Sequence, residues 1–324
     1  MRTLRLVFIG ASQFGVRCLR HVLPVSGLDV VGVVTAEKSF KISYAPSGVT
    51  NVLHADFEPT AQAHAVPVLR LKGSMSDPSL YEMVKVLRPD AFLVVGWYHM
   101  IPRRWRELAP AFGLHASLLP KYSGGAPLVW AMIDGETNTG ITLFQMDDGI
   151  DSGPIAAQAE EPIHPDDTIA TLYSRIEERG LELLDQALPR LAAGTLRLQA
   201  QAQADRRVLP QRSPADGRID WTNDAGFIDR WIRAQTRPYP GAFTETKVGT
   251  LTIWASRPAP TWPLASIHGQ VFRTHDGGIG VVCGRGAIQL TDWAISETRH
   301  CCTPSHKPSH NLSDLIGSVL AAHV

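Results

Sequence analysis

One alternation governs the first 150 residues of the chain: apolar runs of strand length are separated by stretches whose apolar positions recur at helical spacing. A chain written in that order has too much sequence between its strands for simple hairpins. It is driven to lay the strands side by side and cover them with the intervening helices. The runs are LRLVFIG (residues 4–10), VVGVVT (30–35), VPVLRL (66–71), AFLVVGW (91–97) and TGITLFQM (139–146). Phe14 to Val22 and Pro78 to Leu87 carry the helical spacing, with Ser76 or Asp77 placed to cap the second. The expectation is an α/β fold with a doubly wound, Rossmann-like parallel sheet.

Residues 167–194 predict a long helical region, opened by Asp166 or Asp167, interrupted near Gly180 or Pro189 and closed by Gly194. The LRLQAQAQADRRVLPQRSP stretch that follows lacks apolar periodicity and suits an extended connector. Beyond it a short helical stretch, DAGFIDRWIRAQ, precedes brief β-like runs (LTIWAS, GQVFRT, GIGVVCG, AIQLTDW) set between glycine and proline turns. With 324 residues, of which 44% are hydrophobic, the chain can build two cores. The boundaries read as a sheet domain over 1–194, a linker over 195–212, and a smaller OB-like β-barrel with a flexible tail over 213–324.

Lys plus Arg and Asp plus Glu each total 31, so no global field draws the chain to nucleic acid or to an anionic membrane. The first apolar stretch spans about six residues, too short for a signal core or a membrane span, which sets a cytoplasmic expectation. Four cysteines (Cys18, Cys283, Cys301, Cys302) are too sparse for a disulfide framework. His300, Cys301, Cys302, His306 and His310 lack the C-x-x-C spacing of structural zinc and read as a solvated tail, so no metal is expected. In the first strand–helix turn, GASQFG offers Gly10 and Gly15 but not the middle glycine of a dinucleotide-binding turn, and Gly10 reads as a tight turn.

The most informative stretch is GLHASLLPKYSGGAPLVWAMIDGETNTGITLFQMDDGIDSG, residues 113–153. Alone, His115 is a histidine beside apolar residues and Asp151 a member of a turn-rich loop, and neither demands chemistry. Together, His115 with Ser117 to Pro120, the GGAP loop (Gly124 to Pro127), LVWAMIDGE, TGITLFQM and the DDGIDSG turn strongly resemble the folate-dependent formyltransferase superfamily. Weaker resemblance runs through the whole chain to TRPYPGAF. It implies 10-formyltetrahydrofolate as co-substrate, with His115 as proton donor or acceptor and Asp151 as the carboxylate that orients it and favours its protonated form.

The resemblance also implies folate contacts. The segment Asp147, Asp148, Gly149, Ile150 and Asp151 matches a loop that meets the pterin through its backbone. Ser117, Leu118, Leu119 and Pro120 belong to the same site, as do Trp97, Tyr98 and His99 of VVGWYHMIP, where a flat pterin suits aromatic stacking. Two positions depart from the family. Gly113 stands where an asparagine donates to the formyl oxygen, and loss of such a donor costs about 2.7–4 kcal/mol in the chemical step. Gly125 stands where some members carry an arginine near the cofactor. The leading expectation is formyl transfer to an amine of a small acceptor, such as an amino-sugar nucleotide. Hydrolysis of the formyl group, methionyl-tRNA formylation and a non-catalytic folate-binding module are the alternatives. The long polar segment 38–59 is a candidate for acceptor recognition or gating.

Overall fold

The computed structural model describes residues 3–42, 45–263, 266–296 and 312–320. The tail positions His300, Cys301, Cys302, His306 and His310 lie outside the described residues. The elements run β1 (Leu4–Gly10), α1 (Gln13–Val22), β2 (Leu28–Ala36), the antiparallel pair β3 (Ser39–Ile42) and β4 (Ala45–Thr50), α2 (Glu58–Gln62), β5 (Val68–Leu71) and α3 (Pro78–Val86). They continue with β6 (Ala91–Val95), α4 (Arg103–Leu108), β7 (Ala111–His115), β8 (Ser123–Gly124), α5 (Pro127–Asp134), β9 (Asn138–Gln145), β10 (Ile155–Pro162), α6 (Ile169–Ala192) and β11 (Val208–Leu209). Last come α7 (Ala225–Arg233), β12 (Ala242–Thr246), β13 (Gly249–Pro258), β14 (Val271–Arg273), β15 (Ile279–Val282) and β16 (Ala287–Ser296). The chain divides into two compact units, Met1–Pro127 with Asn138–Pro162 and Ser174–Pro210 forming one, and Leu128–Thr137 with Ile163–Tyr173 and Gln211–Val324 the other.

In the first unit a seven-stranded sheet has the order β10-β9-β7-β6-β1-β2-β5. The strands from β5 to β7 pair in parallel, and Leu6, Val7, Phe8 and Ile9 at its centre are fully buried, as a sheet covered on both faces requires. Each such side chain contributes about 1.5–3 kcal/mol by leaving water. The TGITLFQM run departs from the parallel expectation: β9 is antiparallel to β7, and β10 antiparallel to β9. An apolar run specifies burial but not direction; direction is set by the connection, and here α5 does not carry the chain back to the amino edge of the sheet. The strand order reverses at β1, with β2 on one side and β6 on the other, and in such folds ligands enter at the carboxyl ends beside that reversal.

Helix α1 is capped by Ser12, whose side chain accepts from the Gly15 N–H, and α3 by Asp77, which accepts from Ser79. The expected break in the long helix does not occur, because α6 is continuous from Ile169 to Ala192 with Pro189 near its last turn. Gly180 reflects close packing instead: a Cβ there would lie 2.6 Å from the Phe14 ring. The N-terminal signal also falls differently. Thr168 accepts from the Thr171 N–H, while Asp167 is buried and holds the preceding turn through the His164 N–H at 2.7 Å.

The second unit carries an antiparallel half-barrel of order β12-β13-β16-β15-β14. Asp224 caps α7 by accepting from Phe227, and the helix buries Ile228 and Ile232 in a core with Trp221, Leu251, Ile253 and Ile288. No described helix is long and apolar enough to cross a membrane.

Candidate active site

His115 ends β7, at the carboxyl edge of the parallel strands. Its Nε2 lies 2.8 Å from the Tyr122 carbonyl oxygen. A carbonyl can only accept, so Nε2 carries the hydrogen and donates it. Nδ1 is thereby left as the nitrogen that can exchange a proton, and it faces Asp151 Oδ2 at 3.5 Å. Both side chains are mostly buried, with 11% of His115 and 21% of Asp151 exposed. The edge of the His115 ring also meets Phe144, at 6.5 Å between centroids and 85° between planes.

Asp151 arrives by an indirect path. Because β9 runs antiparallel, its last residue Gln145 lies opposite Phe112 near the start of β7, whereas His115 lies opposite Thr142. Residues 146–154 therefore double back along β7, and the loop closes through the Gln145 N–H to Pro154 O bond of 2.9 Å. Asp151 sits in this loop with φ of 49°, a left-handed conformation that L residues seldom adopt and that Asp tolerates better than most. Its Oδ2 accepts from the Gly124 N–H at 2.8 Å. Gly124 has φ of 93°, and a Cβ there would lie 2.3 Å from the Leu209 carbonyl oxygen, so only glycine lets β11 pair with β8.

The SLLP residues frame the histidine through their backbone. Ser117 O accepts from Thr142 Oγ1 at 2.6 Å, Leu119 N donates to the same hydroxyl at 3.2 Å, and Leu119 O accepts from Gln158 Nε2 at 2.8 Å. Ser117 Oγ donates to Lys121 O, Pro120 O accepts from Ser123 Oγ, and Leu118 packs where a Cβ on Gly140 would fall. In the second loop Asp147 Oδ1 accepts from the Gly149 N–H and from Ser152 Oγ, and Ile150 O accepts from Arg206 at 2.6 Å. Exposed Asp148 pairs with Arg106, whose hydrogen bond and positive charge hold its carboxyl below the usual range.

Trp97, Tyr98 and His99 follow β6. Phe40 of β3 covers two of them, 5.4 Å from the Tyr98 ring and 5.1 Å from that of His99, and Trp97 lies 5.4 Å from His99. Tyr98 OH donates to Asn51 Oδ1 at 3.2 Å, and buried Asn51 donates in turn to Ala11 O. Phe40 and Asn51 thus rest on the two loops beside the strand-order reversal. Burial pushes the His99 imidazole below its ordinary value, and among the described residues neither Trp97 Nε1 nor His99 Nε2 has a hydrogen-bond partner.

Gly113 sits two residues before His115, and the volume a side chain would take there is filled. A Cβ would fall 2.5 Å from Met146 Cε and 3.1 Å from the Phe144 ring. Met146, Thr142, Gln158 and Gln201 are parts of the site that sequence patterning did not single out. Thr142, Gln158 and Gln201 work on main-chain atoms, and Met146 acts by volume, so none of them leaves a chemical signature in the sequence. Among the described residues no cluster of His, Cys, Asp and Glu could hold a metal ion.

Fold and site together define a mixed α/β protein with an imidazole–carboxylate pair at the carboxyl edge of its parallel strands, followed in the chain by an antiparallel half-barrel. The formyl transferase family model matches residues 5–188 and the formyl transferase C-terminal domain model matches residues 212–301. The chain belongs to this family of formyl-transferring enzymes. Curated relatives include the methionyl-tRNA formyltransferases of Geobacter sulfurreducens, 33% identical over 90% of this chain and 89% of that protein, and of Nitrosomonas europaea, 31% identical over 89% and 87%. Among solved structures, the N-formyltransferase of Helicobacter canadensis in complex with folinic acid and dTDP-3-aminofucose superposes with a TM-score of 0.62 at 18% identity. That match covers 91% of this chain and all (100%) of that one, and establishes likeness of fold.

Proposed function

We propose that the chain transfers the formyl group of 10-formyltetrahydrofolate to an amine of a small acceptor, with His115 and Asp151 managing the protons. The attacking amine must lose a proton as its nitrogen bonds to the formyl carbon, and the departing folate nitrogen must gain one. His115 suits both tasks, because Nε2 is committed to Tyr122 O and Nδ1 is free to take and return a proton beside Asp151. The fixed carboxylate offsets the positive charge that the ring acquires. Trp97, Tyr98, His99 and the backbone of Asp147 to Asp151 would hold the folate, the aromatic rings giving a flat pterin a surface to stack on.

The observation that favours a small acceptor is the engagement of four arginines of the second unit, Arg212, Arg233, Arg237 and Arg257. Arg233 pairs with Asp229, Arg237 with Asp292 and Arg257 with Asp276, while Arg212 is stacked against Trp130 and Trp231. Guanidiniums occupied in this way do not form the basic row that tracks a phosphate backbone. A second reading, methionyl-tRNA formylation, is favoured by the activity for which the curated relatives are named. The test is to incubate the protein with 10-formyltetrahydrofolate and amino-sugar nucleotides, initiator methionyl-tRNA or no acceptor, and to follow products by mass spectrometry. Gain of one CO by a small amine is expected. Formylation confined to the tRNA supports the second reading, and formate release at one rate with or without any amine indicates hydrolysis.

A further inference from the structure

The residues that fix Asp151 come from the stretch that sequence patterning assigned to a connector. Gln199 bridges antiparallel to Ile155, and Gln201, only 8% exposed, reaches back to the catalytic loop. Its Nε2 donates to the carbonyl oxygen of Asp151 at 2.8 Å and to that of Gly153 at 2.7 Å. Two carbonyls can only accept, so the NH2 end of the amide must face them whichever way the group is drawn. The opposite end, Oε1, is buried with no partner among the described residues. Burying an acceptor unpaired is unfavourable, so the position is filled by glutamine for the sake of its donor end.

The same strap fixes the carboxylate. Arg206 donates to Ile150 O at 2.6 Å, and Val208 and Leu209 pair with Ser123 and Gly124, whose N–H is the donor to Asp151 Oδ2. Asp151 is thus held by its own carbonyl through Gln201 and by its side chain through Gly124, in a left-handed conformation that needs outside support. We infer that Gln201 is a positioning residue for Asp151: its two hydrogen bonds lock the loop so that the carboxylate faces His115. This inference rests on the reading of His115 and Asp151 as the proton-handling pair.

The test uses the full chain, with steady-state consumption of 10-formyltetrahydrofolate followed across pH. Gln201→Glu keeps the shape but presents an ionised carboxylate, with no donor, to two carbonyl oxygens. It is expected to lower kcat about 10- to 100-fold, the effect of a small misplacement of a catalytic group, while KM for the folate changes little. Activity should recover in part as pH falls, because a protonated glutamate regains one O–H. Gln201→Leu should be equally slow without that recovery, and Gln201→Asn, which keeps the amide, should fall between Leu and wild type. If Gln201→Glu does not fold, a faster Asn than Leu variant carries the same conclusion. In an Asp151→Asn background, Gln201→Leu should add no further loss. Normal kcat in the Gln201 variants beside a slow Asp151→Asn enzyme overturns the role of Gln201 alone. So do losses that multiply in the double variant. Wild-type turnover in Asp151→Asn overturns the proton-handling pair, and the positioning role with it.

Discussion

Replacing Gly113 by asparagine tests the expectation that this position is where a donor to the formyl oxygen would stand, and also what fills the space there now. The residue lies in β7 outside the left-handed region, so its backbone accepts a side chain. The obstacle is volume, because a Cβ would meet the end of Met146 at 2.5 Å and the Phe144 ring at 3.1 Å. The first distance is shorter than side-chain contacts tolerate and the second is tight, but the methionine end is a flexible thioether that can swing away. Overpacking of this kind costs about 1–3 kcal/mol, a fall in melting temperature of about 2–4 °C for each kcal/mol in a domain of this size. Shortening the neighbour should relieve it, so Gly113→Asn with Met146→Ala is expected to be more stable than the sum of the single changes by about 0.5–3 kcal/mol. Catalysis should follow the same coupling. If the asparagine amide reaches the formyl oxygen, the donor is worth about 2.7–4 kcal/mol in the barrier, roughly 100- to 1000-fold in kcat, and the gain should be larger in the double variant than in the single one. Thermal unfolding and initial rates across the four proteins of the cycle decide the matter. Strict additivity in both measurements would refute the claim that the Met146 methyl fills the space of the missing side chain.

Other outcomes follow from the same contacts. His115→Ala should abolish turnover. Asp151→Asn should slow it by orders of magnitude while folate binding survives, because the asparagine oxygen can still accept from Gly124; isothermal titration beside rate measurements checks both. Glu161 is 3% exposed and accepts from Arg175 at 2.6 Å and Arg179 at 2.9 Å. Burial works to raise its pKa, but the hydrogen bonds from Arg179 and Arg175 outweigh burial and leave it below the ordinary value. Its contribution to stability is therefore fully present above the unfolded glutamate pKa of about 4.3 and disappears as pH falls through the lower folded value. Glu161→Gln should cost about 1–3 kcal/mol at neutral pH, and denaturant melts of the two proteins should converge in acid.

The strands were legible where burial is continuous: β1 coincides with LRLVFIG, and β2, β5, β6 and β9 overlap the other runs closely. Direction was not legible, since nothing in TGITLFQM distinguishes an antiparallel strand from a parallel one. Nor was the β3–β4 pair within segment 38–59, whose polar residues give no sustained alternation. His115 and Asp151 were visible through a motif, and the structure brings their side chains to 3.5 Å. Gln201 was invisible, because a glutamine that grips two carbonyl groups looks no different in sequence from one that faces water. Gly180 read as a helix breaker for a related reason, since a missing side chain says nothing about whether the chain bends there or a neighbour presses close.

The pairing of β11 with β8 determines how small a working piece of this protein could be made. A polypeptide stopped at residue 194, where the long helix gives out, would keep every strand of the large sheet yet lose the rung beside Gly124 and the amide that grips the Asp151 loop. One stopped after Pro210 would keep both. The support of the Asp151 loop thus depends on one side-chain amide and a two-residue strand pairing that lie beyond the end of α6, in a stretch where insertions would otherwise look harmless.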